Sequence, residues 1–155
     1  MEKHTGINIG KICSLELIET REVDEMYIDR ELLTIKIDLV PQKQFVPIVV
    51  TDGSADLQVK ANDGDDGSKP HYQIVLTAKV PKVQADRIAV LHGIKSTQFI
   101  ARATDALGNR FIIGNEASPA VLLINYGIAS ASSGSNEAEI SITSFNDVGL
   151  FQQVD

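Results

Sequence analysis

The acidic run Asn62-Asp63-Gly64-Asp65-Asp66-Gly67-Ser68-Lys69-Pro70 is the first place to look for a hard cation. Calcium needs several carboxylate and carbonyl oxygens on a backbone able to curl around it. The spacing departs from the EF-hand rule, since counting from Asn62 puts Gly64 at the third position and Gln73 at the twelfth. A solvated turn is the expectation for Asp63 to Asp66. His4, His71 and His92 are scattered, with no His-x-His or His-x-x-x-His pair, so a zinc site would need ligands gathered from distant segments. His92, just before Gly93, reads as a residue at a helix C-terminus, where a polar donor suits the helix dipole.

Nucleophilic catalysis requires a Ser or Cys next to a base, and the chain has no Gly-x-Ser-x-Gly elbow. Cys13 lies in an apolar alternating segment and is expected to behave as a small core residue. No glycine-rich phosphate loop is present, because the glycines fall singly at turns. Glu16, Asp38 and Asp56 are dispersed carboxylates that a hydrolase would have to bring together, but alternation turns the latter two outward. The sequence therefore predicts no catalytic, cofactor-binding or metal-binding residues, no cofactor and no enzyme.

Composition narrows the partners. At 155 residues the chain is about one domain long, enough to bury roughly 70% of its unfolded surface, and no break in composition divides residues 1–155. The formal net charge is -7, with 14 acids and 8 bases in residues 1–70 against 7 and 6 in residues 71–155. A phosphate backbone needs clustered Lys and Arg, which this chain lacks, so nucleic acid and anionic membrane are both poor partners. Trp is absent and aromatic residues are 5%, which disfavours base-stacking platforms. A single cysteine, no signal-like opening and no apolar run approaching about 20 residues lead to the expectation of a cytoplasmic protein.

Any site must be positioned by strands, because period-two alternation dominates. Leu33, Ile35, Ile37 and Leu39 share one face, as do Ala55, Leu57, Val59 and Ala61, and Tyr72, Ile74, Leu76, Ala78 and Val80. Residues 45–61 read as a β-hairpin through Asp52-Gly53, with Pro47 confined to an edge, a bulge or a strand start. Residues 97–104 and 110–114 form a second hairpin around Asp105-Ala106-Leu107-Gly108-Asn109. Residues 120–128, apolar on both faces, read as a central strand, residues 138–144 as another, and residues 11–18 as the first. Residues 23–30 fit a strand or a short helical turn, and residues 130–136 a polar loop. Leu150 and Phe151 could dock or lie loose. Val83, Ile88 and Leu91, between Pro81 and Gly93, predict one helix over residues 82–92. The expected fold class is all-β, mainly antiparallel, with one short helix: a sandwich or small barrel of about eight strands.

The segment Gly108-Asn109-Arg110-Phe111-Ile112-Ile113-Gly114 resembles small β-rich tail-associated structural proteins of tailed phages and prophages. The opening residues Gly6 to Ile18 and the strand Glu139-Ile140-Ser141-Ile142-Thr143-Ser144 look like the first and last strands of such proteins. Together these pieces cover about a fifth of the chain, as pattern rather than signature. The resemblance implies a non-enzymatic tail or connector component that assembles with its own copies, typically as a ring, and with other particle proteins. It implies no catalytic residues, and loops at residues 62–70 and 130–136 that reach neighbouring subunits. The alternative is a β module that binds a small ligand or a protein partner.

Overall fold

The computed structural model describes residues 11–51, 53–62, 71–81, 98–115, 118–126, 137–146 and 149–155. Their alternating residues form β1 (Ile12–Glu19), β2 (Val23–Asp29), β3 (Thr34–Leu39), β4 (Val46–Ile48), β5 (Asp56–Asn62) and β6 (His71–Pro81). The chain continues through β7 (Phe99–Asp105), β8 (Arg110–Ile113), β9 (Val121–Tyr126), β10 (Glu137–Asn146) and β11 (Phe151–Gln153). A 3-10 turn, Thr20–Glu22, joins β1 to β2. The helix expected over residues 82–92 lies outside the described residues, as do the loops at residues 63–70 and 130–136.

The strands form two sheets, ordered β2-β3-β11-β8-β7-β1-β4 and β5-β6-β10-β9. Every pairing is antiparallel except that of β11 with β3. The fold is a β-sandwich, as the alternation predicted, with eleven described strands rather than about eight. Between the layers lie Leu15, Leu17, Phe111 and Ile113 from the first sheet, and Ile74, Leu76, Ile140 and Ile142 from the second. Ala103 stands opposite Phe111 in the register, and Ala101 opposite Ile113. These small–large pairs leave room for the Phe ring. Each buried side chain of this size contributes about 1.5–3 kcal/mol.

The larger sheet cannot be flat. Five strand spacings of about 4.8 Å separate β2 from β1, yet the three-residue turn between them spans only about 14 Å when extended. The sheet therefore curls, and its far face encloses a second core of Ile18, Val23, Ile35, Phe45, Ile100, Ile112 and Phe151. The tail docks: Leu150 and Phe151 are buried, one in each core. Residues 23–30 resolve as a strand and its turn.

Two expectations are corrected. Residues 45–61 are not a hairpin, because β4 pairs with β1 whereas β5 pairs with β6 in the other sheet. The turn itself is real: Gly53 has φ +76 and the Ser54 amide donates to the Thr51 carbonyl. It passes the chain between layers, however, as the Thr51 amide donates to the Lys79 carbonyl at 2.8 Å. Ser54 Oγ accepts from the Lys79 amide at 3.1 Å and fastens the crossing. The second correction concerns residues 120–128: β9 is an edge strand, not a central one. Leu122 faces the core, while Val121 and Leu123 point to solvent, so apolar character on both faces here does not mean burial on both.

Candidate interaction surface

Cross-strand registers fix which residues share the outer face of the four-stranded sheet. One row runs Asp56, Thr77, Ser141, Leu123 and the next runs Gln58, Val75, Thr143, Val121. A third holds Lys60, Gln73 and Phe145, and Lys79 and Glu139 stand in the row at the other end. Between the flanking charges, β6, β10 and β9 present an uncharged field. Within it Val121 is 50% exposed, Leu123 57% and Phe145 53%. The solvent face of an antiparallel sheet ordinarily carries polar side chains, so three large apolar ones together mark a surface suited to contact.

The sheet edges differ in the same direction. A free edge offers unpaired N–H and C=O groups, and natural strands blunt it with charge, proline or shortness. β4 is three residues long and contains Pro47, so that of the three expected placements, an edge, a bulge or a strand start, the edge is the one found. β2 carries Asp24, Glu25 and Asp29, and β5 carries Asp56 and Lys60. β9, Val-Leu-Leu-Ile-Asn-Tyr, has none of these devices.

A third feature is the β2–β3 hairpin. Consecutive strand residues point to opposite faces, so Tyr27 at 50% and Ile28 at 40% exposure show that this end of β2 is covered on neither side. Exposure continues through the turn to Leu32 at 71%. Asp29 Oδ1 holds the turn by accepting from the amides of Glu31 and Leu32 at 3.0 and 3.1 Å. The Tyr27 hydroxyl donates to Glu25, and Lys36 lies 5.9 Å above the Tyr27 ring.

On the far face of the curled sheet, Arg102 forms the most connected polar cluster. Its Nε and Nη2 donate to Glu16 Oε1 and Oε2 at 3.1 and 2.7 Å, and its Nη1 donates to Gln153 Oε1 at 3.2 Å. The guanidinium lies 4.1 Å from the centre of the Phe45 ring. Convergent polar groups above an apolar lining are what a ligand pocket would display, but here Arg102 spends its donors on this chain's own side chains. The cluster braces β11 against β1 and β7.

The sequence-derived candidates do not converge. Glu16 belongs to the Arg102 cluster, Asp38 lies on β3, and Asp56 is on the outer face of the other sheet. His71 is exposed at the start of β6, whereas His4, His92 and Asp63 to Asp66 lie outside the described residues. Among the described residues no three His, Cys, Asp or Glu side chains group to hold a metal ion. Cys13 is exposed rather than buried. A bulge between Ile12 and Ser14 inserts Cys13 as the extra residue, keeping Ile12 on the inner face and turning the thiol out. The Asp105–Asn109 segment is a turn, as expected: Asp105 Oδ1 accepts from the amides of Leu107 and Asn109, both at 2.9 Å, and Gly108 has φ +86.

What the geometry defines is a two-layer β-sandwich with an uncharged field on the outer face of its smaller sheet and an exposed apolar hairpin tip. No family model matches the chain, and no curated protein or solved structure matches it. Among the described residues no helix is long and apolar enough to cross a membrane.

Proposed function

We propose that this chain is a non-enzymatic structural subunit that assembles with copies of itself, of the kind that builds the tail or connector of a phage or prophage particle. The observation that carries the reading is the uncharged field of the outer face, with Val121, Leu123 and Phe145, beside the edge strand β9, which has no charged residue or proline. Such a face loses free energy in water and regains it against a partner, at about 25 cal/mol per Å² of apolar surface removed. The sequence resemblance of residues 108–114 and 139–144 to tail-associated proteins supports the particle assignment. The structural role of those residues is compatible with it: they form the β7–β8 turn region and the strand β10 that underlies the apolar face.

The test is the mass in solution. Size exclusion coupled to light scattering, followed from dilute to concentrated protein, is expected to show a defined multiple of the 16.8 kDa chain. A single monomeric mass across the range overturns the reading. Genes for a tape-measure protein or terminase beside its own would support the particle assignment, and metabolic genes would count against it.

A further inference from the structure

The molecule exposes apolar side chains in two separate places: the tip of the β2–β3 hairpin, with Tyr27, Ile28 and Leu32, and the outer face of the four-stranded sheet, with Val121, Leu123 and Phe145. They belong to different sheets. We propose that the hairpin tip of one copy seats on the outer sheet face of a second copy, over Val121, Leu123 and Phe145. The inference rests on the self-assembly reading and specifies its contact.

Area is compatible with this occupant. At these exposures the six side chains together present roughly 550 Å² of apolar surface, from typical side-chain areas of about 150–250 Å². Interfaces are about 60% apolar, so closing the tip on the face buries roughly 900 Å² in total, just under the bound of about 1,000 Å² for a specific contact and in the range of a weak one repeated around an assembly. Either patch against a bare polar surface falls further short of it.

Charge points the same way. The hairpin carries Asp24, Glu25, Asp29, Glu31 and Asp38 against Arg30 and Lys36. Two tips brought together would oppose like charges, at a cost. The sheet face balances Lys60 and Lys79 against Asp56 and Glu139 around its neutral field, so the acidic tip meets no net negative charge there. Shape contributes as well. The tip is exposed on both strand faces, and the sheet face offers an uncharged field three strands wide. A contact between two different patches is heterologous, so each copy gives a tip and receives one, and the assembly closes into a ring or extends as a filament.

Cross-linking reads this directly. In a Cys13→Ser background, Leu32→Cys and Leu123→Cys variants are prepared separately, checked by circular dichroism for an unchanged β spectrum, and treated with a short bismaleimide alone and as an equimolar mixture. The mixture is expected to give at least about ten times more covalent dimer than either variant alone, the contrast a heterologous contact requires. A chain carrying both cysteines is expected to give a ladder of multimers. Cross-linking of Leu123→Cys or Leu32→Cys with itself at a comparable level overturns the proposal, as does its absence while light scattering still shows assembly. In those cases the structural-subunit reading survives, whereas a strictly monomeric mass removes both.

Discussion

A methyl group added at Gly114 would sit 2.7 Å from the Ala120 amide nitrogen, at a backbone φ of +93. That nitrogen is already committed, donating to the Phe99 carbonyl where the chain crosses from β8 to β9. Gly108 has φ +86 but open space around its Cβ position. Gly108→Ala should therefore cost roughly 1–2 kcal/mol, the left-handed penalty alone, and lower Tm by about 3–5 °C in a chain of this size. Gly114→Ala adds a backbone clash and should cost about 3 kcal/mol, or roughly 10 °C in thermal denaturation. Equal shifts would show that Gly114 is not held at the crossing. The Arg102–Glu16 pair invites a cycle. With side chains 18% and 24% exposed, Arg102→Met strands a half-buried carboxylate and should cost about 2 kcal/mol. Adding Glu16→Gln should recover about 1 kcal/mol of it in urea unfolding. Additive losses would mean the two groups do not interact. At the chain end, the hydrogen bond from Arg110 to the Asp155 carboxylate, and then the positive charge of Arg110, hold that carboxyl below its ordinary pKa. The sign follows: the contact contributes above the ordinary carboxylate pKa and is lost as pH falls through the lowered value. Asp155→Asn should accordingly flatten acid unfolding only slightly, given its full exposure.

β3 has two neighbours, β2 and β11, so a three-residue strand ties the whole hairpin to the rest of the sheet. The tie consists of the Gln152 and Val154 amides donating to the Leu33 and Ile35 carbonyls at 2.9 Å, the buried Phe151 ring, and Gln153 beneath Arg102. Deleting residues 151–155, which spares Leu150 in the main core, removes these two hydrogen bonds, the pairing of β11 with β8 and the burial of Phe151, roughly 5 kcal/mol in all. Hydrogen exchange should rise more than about tenfold across β3 while Ile74 to Val80 on β6 stays protected. Uniform protection would show that the hairpin is anchored elsewhere. This dependence was invisible in the sequence, where Phe-Gln-Gln near the chain end does not distinguish a docked strand from a loose one. Other elements were legible because their cause is local. Alternation through Ile74, Leu76, Ala78 and Val80, and the turn chemistry of Asp105 to Asn109, need no distant partner. Period two reports that a strand has two faces, not which sheet it joins, and so alternation over residues 45–61 looks like one hairpin although the segment spans two sheets. The apolar run of β9 failed for a related reason. Val121 and Leu123 look the same in sequence whether a neighbouring layer covers them or a partner has yet to do so. The outer field itself emerges from registers such as Ser141 with Leu123 and Thr143 with Val121, and Glu16 and Arg102 lie 86 residues apart until β1 and β7 pair.

A chain of net charge -7 repels its own copies at long range, so association requires a surface where that repulsion is locally absent and apolar area is available. The β6–β10–β9 face meets both conditions, and a charge placed there should abolish assembly without touching the fold. Leu123→Glu, alone or with Val121→Glu, puts a carboxylate at a position more than half exposed, where surface substitutions change stability by no more than about 0.5 kcal/mol. If the face is the contact, each Glu must be desolvated on association, at a cost of several kcal/mol per ion. The scattering mass should then fall to that of the single chain at concentrations where the parent assembles, with the β spectrum unchanged and Tm within about 2 °C. Gln58→Glu provides the comparison: it is exposed on the outer face of β5, at the opposite edge of the same sheet, and should leave the assembled mass intact. Were Gln58→Glu as disruptive as Leu123→Glu, added charge rather than the lost apolar contact would be the cause, and the uncharged field would no longer mark the interface.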